Sequence, residues 1–255
     1  METHAHHLHK APGSGWKHYL FEFLMLFLAV TLGFFVENLR EHNLDRQREG
    51  EFMTSLLDDL QKDKVILKNI ISKGTIPVAY NDSLSTELQK TPLQGREKRI
   101  YHFLLLYTTL IDFTYHDRTI SQLKYSGGFR LVRNKEVSDA LLDYDIYMRQ
   151  SVAYAENWFT SSIVSTDINI NYHIYELYRV QKFQDSALAH MIEPAKVAYP
   201  PDLKLLTYDP NEIKHTLNSM SYVRITDETK YERAKASLKM NEDLSKLIRE
   251  QYHIE

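Results

Sequence analysis

Three hydrophobic patterns follow one another along the chain. Residues 20–36, LFEFLMLFLAVTLGFFV, are apolar on every face. A helix rises about 1.5 Å per residue, so this run with Tyr19 covers about 27 Å, close to the roughly 30 Å of a hydrocarbon core. Trp16 and Tyr19 stand at its leading edge, where amphipathic rings favour the headgroup layer. No compact basic segment precedes the run and no small-x-small site follows it, so it reads as an uncleaved anchor rather than a signal peptide.

The second pattern is amphipathic. From Glu37 to Lys73 the chain is rich in good helix formers and holds no strong breaker before Gly74 and Pro77. Met53, Leu57, Leu60, Leu67 and Ile71 recur at three-to-four spacing, with Lys64 at the missing step and Leu56, Ile66 and Ile70 widening the stripe. The spacing is close to a coiled-coil heptad. Anchor and stalk therefore read as one helix from Trp16 to Lys73, weakened by about 1 kcal/mol at Gly50.

The remainder alternates helix patterns with stop signals. Asn81 or Asp82 is placed to cap a short helix through Lys90, and Thr91-Pro92 to open another that runs to about residue 114. The apolar stretch 100–113 is too short and too polar for a second span and reads as the central buried helix. A short helix over residues 119–125 stops at Ser126-Gly127-Gly128. Asn134 caps the next, whose stripe of Val137, Leu141, Leu142, Tyr144, Met148 and Val152 carries it past Trp158. Residues 167–171 alternate like a strand but belong to that helix or a break in it. The proline-rich stretch 193–208 is a loop, Asp209-Pro210 starts a further helix, and a terminal helix covers 227–254. The expected fold is all-α: a flexible His-rich tail (1–15), a transmembrane helix (16–37), a stalk helix (38–74) and a helical-bundle domain (75–255).

Composition narrows the chemistry. A net charge of −3 argues against a nucleic-acid partner, and the absence of cysteine excludes disulfides, thiolate zinc and cysteine-ligated clusters. Only eight Gly and seven Pro in 255 residues fit long helices with few turns. No Gly-x-Ser-x-Gly, phosphate loop, dinucleotide fingerprint or His-Glu-x-x-His motif is present, so the expectation is a non-enzyme with no cofactor. His173/Glu176 and His190/Glu193 are the reverse of the Glu-x-x-His order used by di-metal bundles. His4, His6, His7 and His9 form a loose imidazole cluster able to ligate Zn²⁺, Ni²⁺ or Cu²⁺, against the plainer reading of a solvated tail.

Glu22 is the sharpest single candidate, because a carboxylate within an anchor costs a few kcal/mol. Three roles fit it: proton or ion handling, a rim position neutralised by Lys17 or His18 one turn away, or a hydrogen bond between anchors. Phe21, Leu24, Leu28 and Thr31/Leu32 share one anchor face and are expected to pair between copies. The stripe Met53, Leu57, Leu60, Leu67 and Ile71 is expected to form the stalk seam of the same homo-oligomer.

Two stretches carry a family likeness. YLFEFLMLFLAVTLGFFVENLREHNLDRQREGEFMTSLLDDLQKD (19–63) combines an anchor with an early Glu, an Asn/Glu/Arg exit and a Leu-Leu-x-Asp-Leu stalk. TISQLKYSGGFRLVRNKEVSDALLDYD (119–145) has a short helix ending in Ser-Gly, an apolar pair, an Asn cap and a Leu-Leu-x-x-Tyr helix. Together they resemble a family of bacterial single-pass membrane proteins known only as a domain of unknown function. The resemblance assigns no catalytic residues. It implies an inner-membrane protein with a cytoplasmic N-terminus and a periplasmic domain, although the charges flanking the anchor (Lys10 and Lys17 against Arg40, Arg46 and Arg48) nearly balance. The function expected is a membrane-anchored interaction or scaffold protein, with the lipid bilayer and either another copy or a membrane protein as partners. The alternative is a small channel, transporter accessory or sensor with anchors gathered around Glu22.

Overall fold

The computed structural model describes residues 16–107, 113–157 and 199–254. All regular structure among them is helical: α1 (Trp16–Lys73), α2 (Thr75–Gln89), α3 (Glu97–Tyr107), α4 (Arg118–Tyr125), α5 (Lys135–Asn157) and α6 (Pro210–Tyr252), with a 3-10 turn at Gly128–Leu131. The chain divides into two compact units, Met1–Glu51 and Phe52–Glu255. The expected continuity of anchor and stalk is present, since α1 passes Gly50 without a break. The expected boundary at residue 74 is not. The second half of α1 is part of the bundle, which starts at Phe52.

In the first unit, the apolar stretch of α1 is long and apolar enough to cross a membrane, and none of it is buried. Every residue from Trp16 to Leu44 is exposed. Beyond the apolar stretch, Glu37 pairs with Arg40 and Asp45 with Arg48, ties along the helix's own surface.

In the second unit α6 is the spine. Asn241 meets Leu60, Lys64 meets Glu242, and Asn81 meets Met220, so α1 and then α2 run antiparallel along it. Leu67 and Ile70 pack on Ala234 between these points. Gly74 joins α1 to α2 with helical φ and ψ, so the expected breaker is only a seam. Pro77 falls in the first turn of α2, where its missing N–H costs nothing. At the α6 N-terminal half, Leu84, Leu88, Ile100, Tyr101, Leu104, Met220 and Val223 form one core. At its C-terminal half, Met53, Leu56, Leu57 and Leu60 pack with Ile120, Leu123, Leu141, Met148, Leu244 and Ile248 in another.

Several local expectations change. Asn81 lies in mid-α2, buried, with its amide donating to Met220 O at 3.2 Å; it is not a cap. Pro92 opens no helix: Thr91-Pro92 is a cis peptide in a connection, and α3 begins at Glu97. The loop there is held by the buried Glu87, which takes Lys90 at 2.8 Å, Arg99 at 3.2 Å and Arg96. The terminal helix starts earlier than residue 227, because Asp209 caps it by accepting from Asn211 and Glu212 N–H and Pro210 follows as its first residue. Asn134 caps α5 as expected, accepting from Val137 N–H at 3.1 Å. Gly127 holds the left-handed φ of 69° that ends α4. The expectations for residues 158–198, including the strand-like segment and both His-x-x-Glu pairs, lie outside the described residues, as does the imidazole tail.

Candidate functional site: a buried carboxylate clamp

The polar chemistry of the bundle converges where α1, α4, α5 and α6 meet. Asp59 and Asp63 lie one turn apart on α1, both on its buried side. Asp59 accepts from the Thr119 N–H at 3.0 Å, the Thr119 hydroxyl at 2.6 Å and Arg118 at 3.2 Å. Asp63 accepts the His116 backbone N–H at 2.8 Å on one oxygen, with His116 Nδ1 at 2.9 Å from the same atom. Its other oxygen takes the Tyr144 hydroxyl at 2.9 Å. That hydroxyl in turn accepts from Asn241, whose amide also donates to Leu60 O at 2.9 Å. Four elements are thereby tied through a single carboxylate.

A second buried carboxylate stands beside it. Asp145 on α5 receives the Tyr115 hydroxyl at 2.9 Å, Arg149 Nε at 3.0 Å and the Lys124 ammonium. Tyr115 and Tyr144 meet edge to face, with ring centroids 6.0 Å apart. Arg149 also reaches Asp117 at 2.7 Å and lies over the Tyr115 ring.

The two carboxyls differ in their partners. Burial pushes both upward, but the Lys124, Tyr115 and Arg149 hydrogen bonds outweigh it at Asp145 and hold that group below the usual carboxylate range. At Asp63 burial prevails over the bonds from His116 and Tyr144, and its carboxyl is raised. The distinction is formal charge: Asp145 faces two permanent cations, Asp63 an imidazole and a phenol. Both phenols are pushed above their ordinary range, first by burial and then by the neighbouring carboxylates.

The structure distributes the candidates read from sequence differently. Glu22 is exposed on α1, and so are Phe21, Leu24, Leu28, Thr31 and Leu32. The Thr31 hydroxyl donates to Phe27 O at 2.8 Å along the helix. The stalk seam is the main correction. Met53, Leu57, Leu60 and Leu67 are buried in the chain's own bundle, with Ile71 packed against it, so they are not open to another copy. The missing step of the stripe is Asp63, 1% exposed, rather than the partly exposed Lys64. That substitution was the signal for the clamp: a carboxylate at a core position between Leu60 and Leu67. Asp145 beside Tyr144 and Asn241 before Leu244 repeat it on α5 and α6.

No family model matches the chain, and no curated protein or solved structure does either.

Proposed function

We propose that the chain is a single-pass membrane-anchored helical scaffold or interaction protein, homo-oligomeric through its anchor, with the bundle on the extracytoplasmic side of a bacterial inner membrane. The observation that carries this reading is the first half of α1, whose apolar stretch has no buried residue while the bundle has cores of its own. In water so large an apolar surface would drive aggregation, whereas hydrocarbon solvates it without cost. With the stalk stripe engaged inside the chain, pairing between copies falls to the anchor face of Phe21, Leu24, Leu28, Thr31 and Leu32. The likeness to the single-pass family supports the same topology.

A second reading, a small channel, transporter accessory or sensor, is favoured by Glu22, an exposed carboxylate in the apolar stretch. The chain has no cysteine, so single Cys substitutions along residues 21–32 report on proximity without background. Oxidative crosslinking in native membranes is expected to trap dimers at Leu24 and Leu28. Monomer at every position sinks the oligomeric reading, and a ladder closing at a fixed larger number favours the second. A topology reporter fused after residue 255 tests the side on which the bundle lies.

A further inference from the structure

We propose that one internal water molecule binds between Ser237 and Asn241 of α6 and supports the clamp from that side. Both residues are fully buried. They lie one turn apart in the row Ala234, Ser237, Asn241, Leu244 and Ile248, which α6 turns into the bundle. The row is apolar at both ends and polar only at these two middle positions.

Asn241 has no donor to spare. Its amide nitrogen gives one proton to Leu60 O at 2.9 Å and the other to the Tyr144 hydroxyl at 3.1 Å. The Tyr144 proton is itself committed to Asp63. These contacts fix the amide's orientation, because exchanging its O and N would set one carbonyl oxygen against another. Asn241 Oδ1 is therefore an acceptor, and no described residue donates to it.

Ser237 supplies the complementary half. Its Oγ also has no hydrogen-bond partner among the described residues. Other helical hydroxyls of the bundle satisfy themselves. Thr216, Ser221, Thr226 and Thr229 on α6, and Ser151 on α5, each donate to the carbonyl four residues earlier. Ser237 is not turned that way.

A buried hydroxyl and a buried amide oxygen left unmatched both cost stability, and protein interiors rarely keep them so. Side chains four apart on a helix have Cβ atoms about 5–6 Å from each other. One water bridges such a span, accepting from the Ser237 hydroxyl and donating to Asn241 Oδ1. An internal water requires two or more polar partners, and the pair provides them. The bonds then run from Ser237 through the water, Asn241 and Tyr144 to Asp63. The water holds the amide in the orientation that Leu60 and Tyr144 require.

The test compares Ser237→Ala with Ser151→Ala in the full chain in detergent, by urea unfolding. With the water bound, Ser237→Ala removes one of its partners, and the midpoint should fall by roughly 0.3–1 M. Without it, the substitution deletes an unmatched hydroxyl and improves helix propensity, so the midpoint should rise. Ser151→Ala measures the effect of losing a hydroxyl satisfied within its own helix. A Ser237→Ala midpoint that rises, stays level or falls no further than that of Ser151→Ala overturns the proposal. A crystal structure of the unmutated full chain at a resolution that shows ordered solvent reads the site directly. It should hold one water within about 3.2 Å of both Ser237 Oγ and Asn241 Oδ1. A Ser237 hydroxyl bonded instead to a protein carbonyl, with no water on Oδ1, overturns the proposal as well.

Discussion

Asp59 on α1 caps the N-terminus of α4 across the core: its Oδ2 lies 3.0 Å from the Thr119 backbone nitrogen and 2.6 Å from the Thr119 hydroxyl. A residue sixty positions away does the work usually given to the adjoining Asp117. The consequence is an asymmetry between two aspartates. Asp59→Ala leaves buried donors unpaired and is expected to cost about 1–3 kcal/mol. Asp117→Ala removes partly exposed contacts and is expected to cost less than about 1 kcal/mol. Urea unfolding of the full chain in detergent, followed by helical circular dichroism, ranks the two; an equal or reversed order removes the capping role.

Gly74 is a contact residue rather than a hinge. A Cβ there would lie 2.5 Å from Tyr231 Cδ2 and 2.9 Å from the Ile70 carbonyl oxygen. Gly74→Ala is expected to destabilise the bundle by about 1–3 kcal/mol despite alanine's better helix propensity. Adding Tyr231→Ala should recover part of that loss, a non-additivity that a double-mutant cycle measures.

Asp145 gives the bundle an acid limb. Its carboxyl is lowered by the Lys124, Tyr115 and Arg149 hydrogen bonds. The stability it confers is therefore full above the unfolded carboxylate range and lost as pH falls through the lower folded value. Asp145→Asn should lower the melting temperature at neutral pH and reduce its fall on acidification. A melting profile parallel to wild type at every pH would remove this assignment.

Leu60 and Leu28 separate the two halves of α1. Leu60 is 1% exposed in the bundle core, so Leu60→Ala should cost about 2–5 kcal/mol of unfolding free energy. Leu28 is 47% exposed. Leu28→Arg should leave bundle unfolding unchanged and weaken membrane insertion by about 2.5–3.5 kcal/mol. Extraction at alkaline pH reads the second effect, with the variant moving from the membrane to the soluble fraction.

The helices were legible wherever local chemistry decides them. The Asn134 and Asp209-Pro210 starts and the Gly127 stop depend on neighbours within a few residues. Asn81 and Pro92 misled for the complementary reason. Asn81 is engaged by Met220, far along the chain, and Pro92 lies in a connection that Glu87 and its three basic partners hold in place.

Sequence alone determined that the chain is helical, that α1 runs unbroken from anchor to stalk, and that its apolar stretch is long enough to cross a membrane. Those properties follow from propensity, periodicity and length along a single segment. Only the tertiary structure decided what the stalk stripe faces. A stripe at heptad spacing serves a second copy and a folded-back chain equally well, because burial rewards apolar contact without regard to its source. The structure gives Met53, Leu57, Leu60 and Leu67 to the chain's own helices. It also turns Asp63, a buried charge between Leu60 and Leu67, into the point where α1, the α4 lead-in, α5 and α6 are joined.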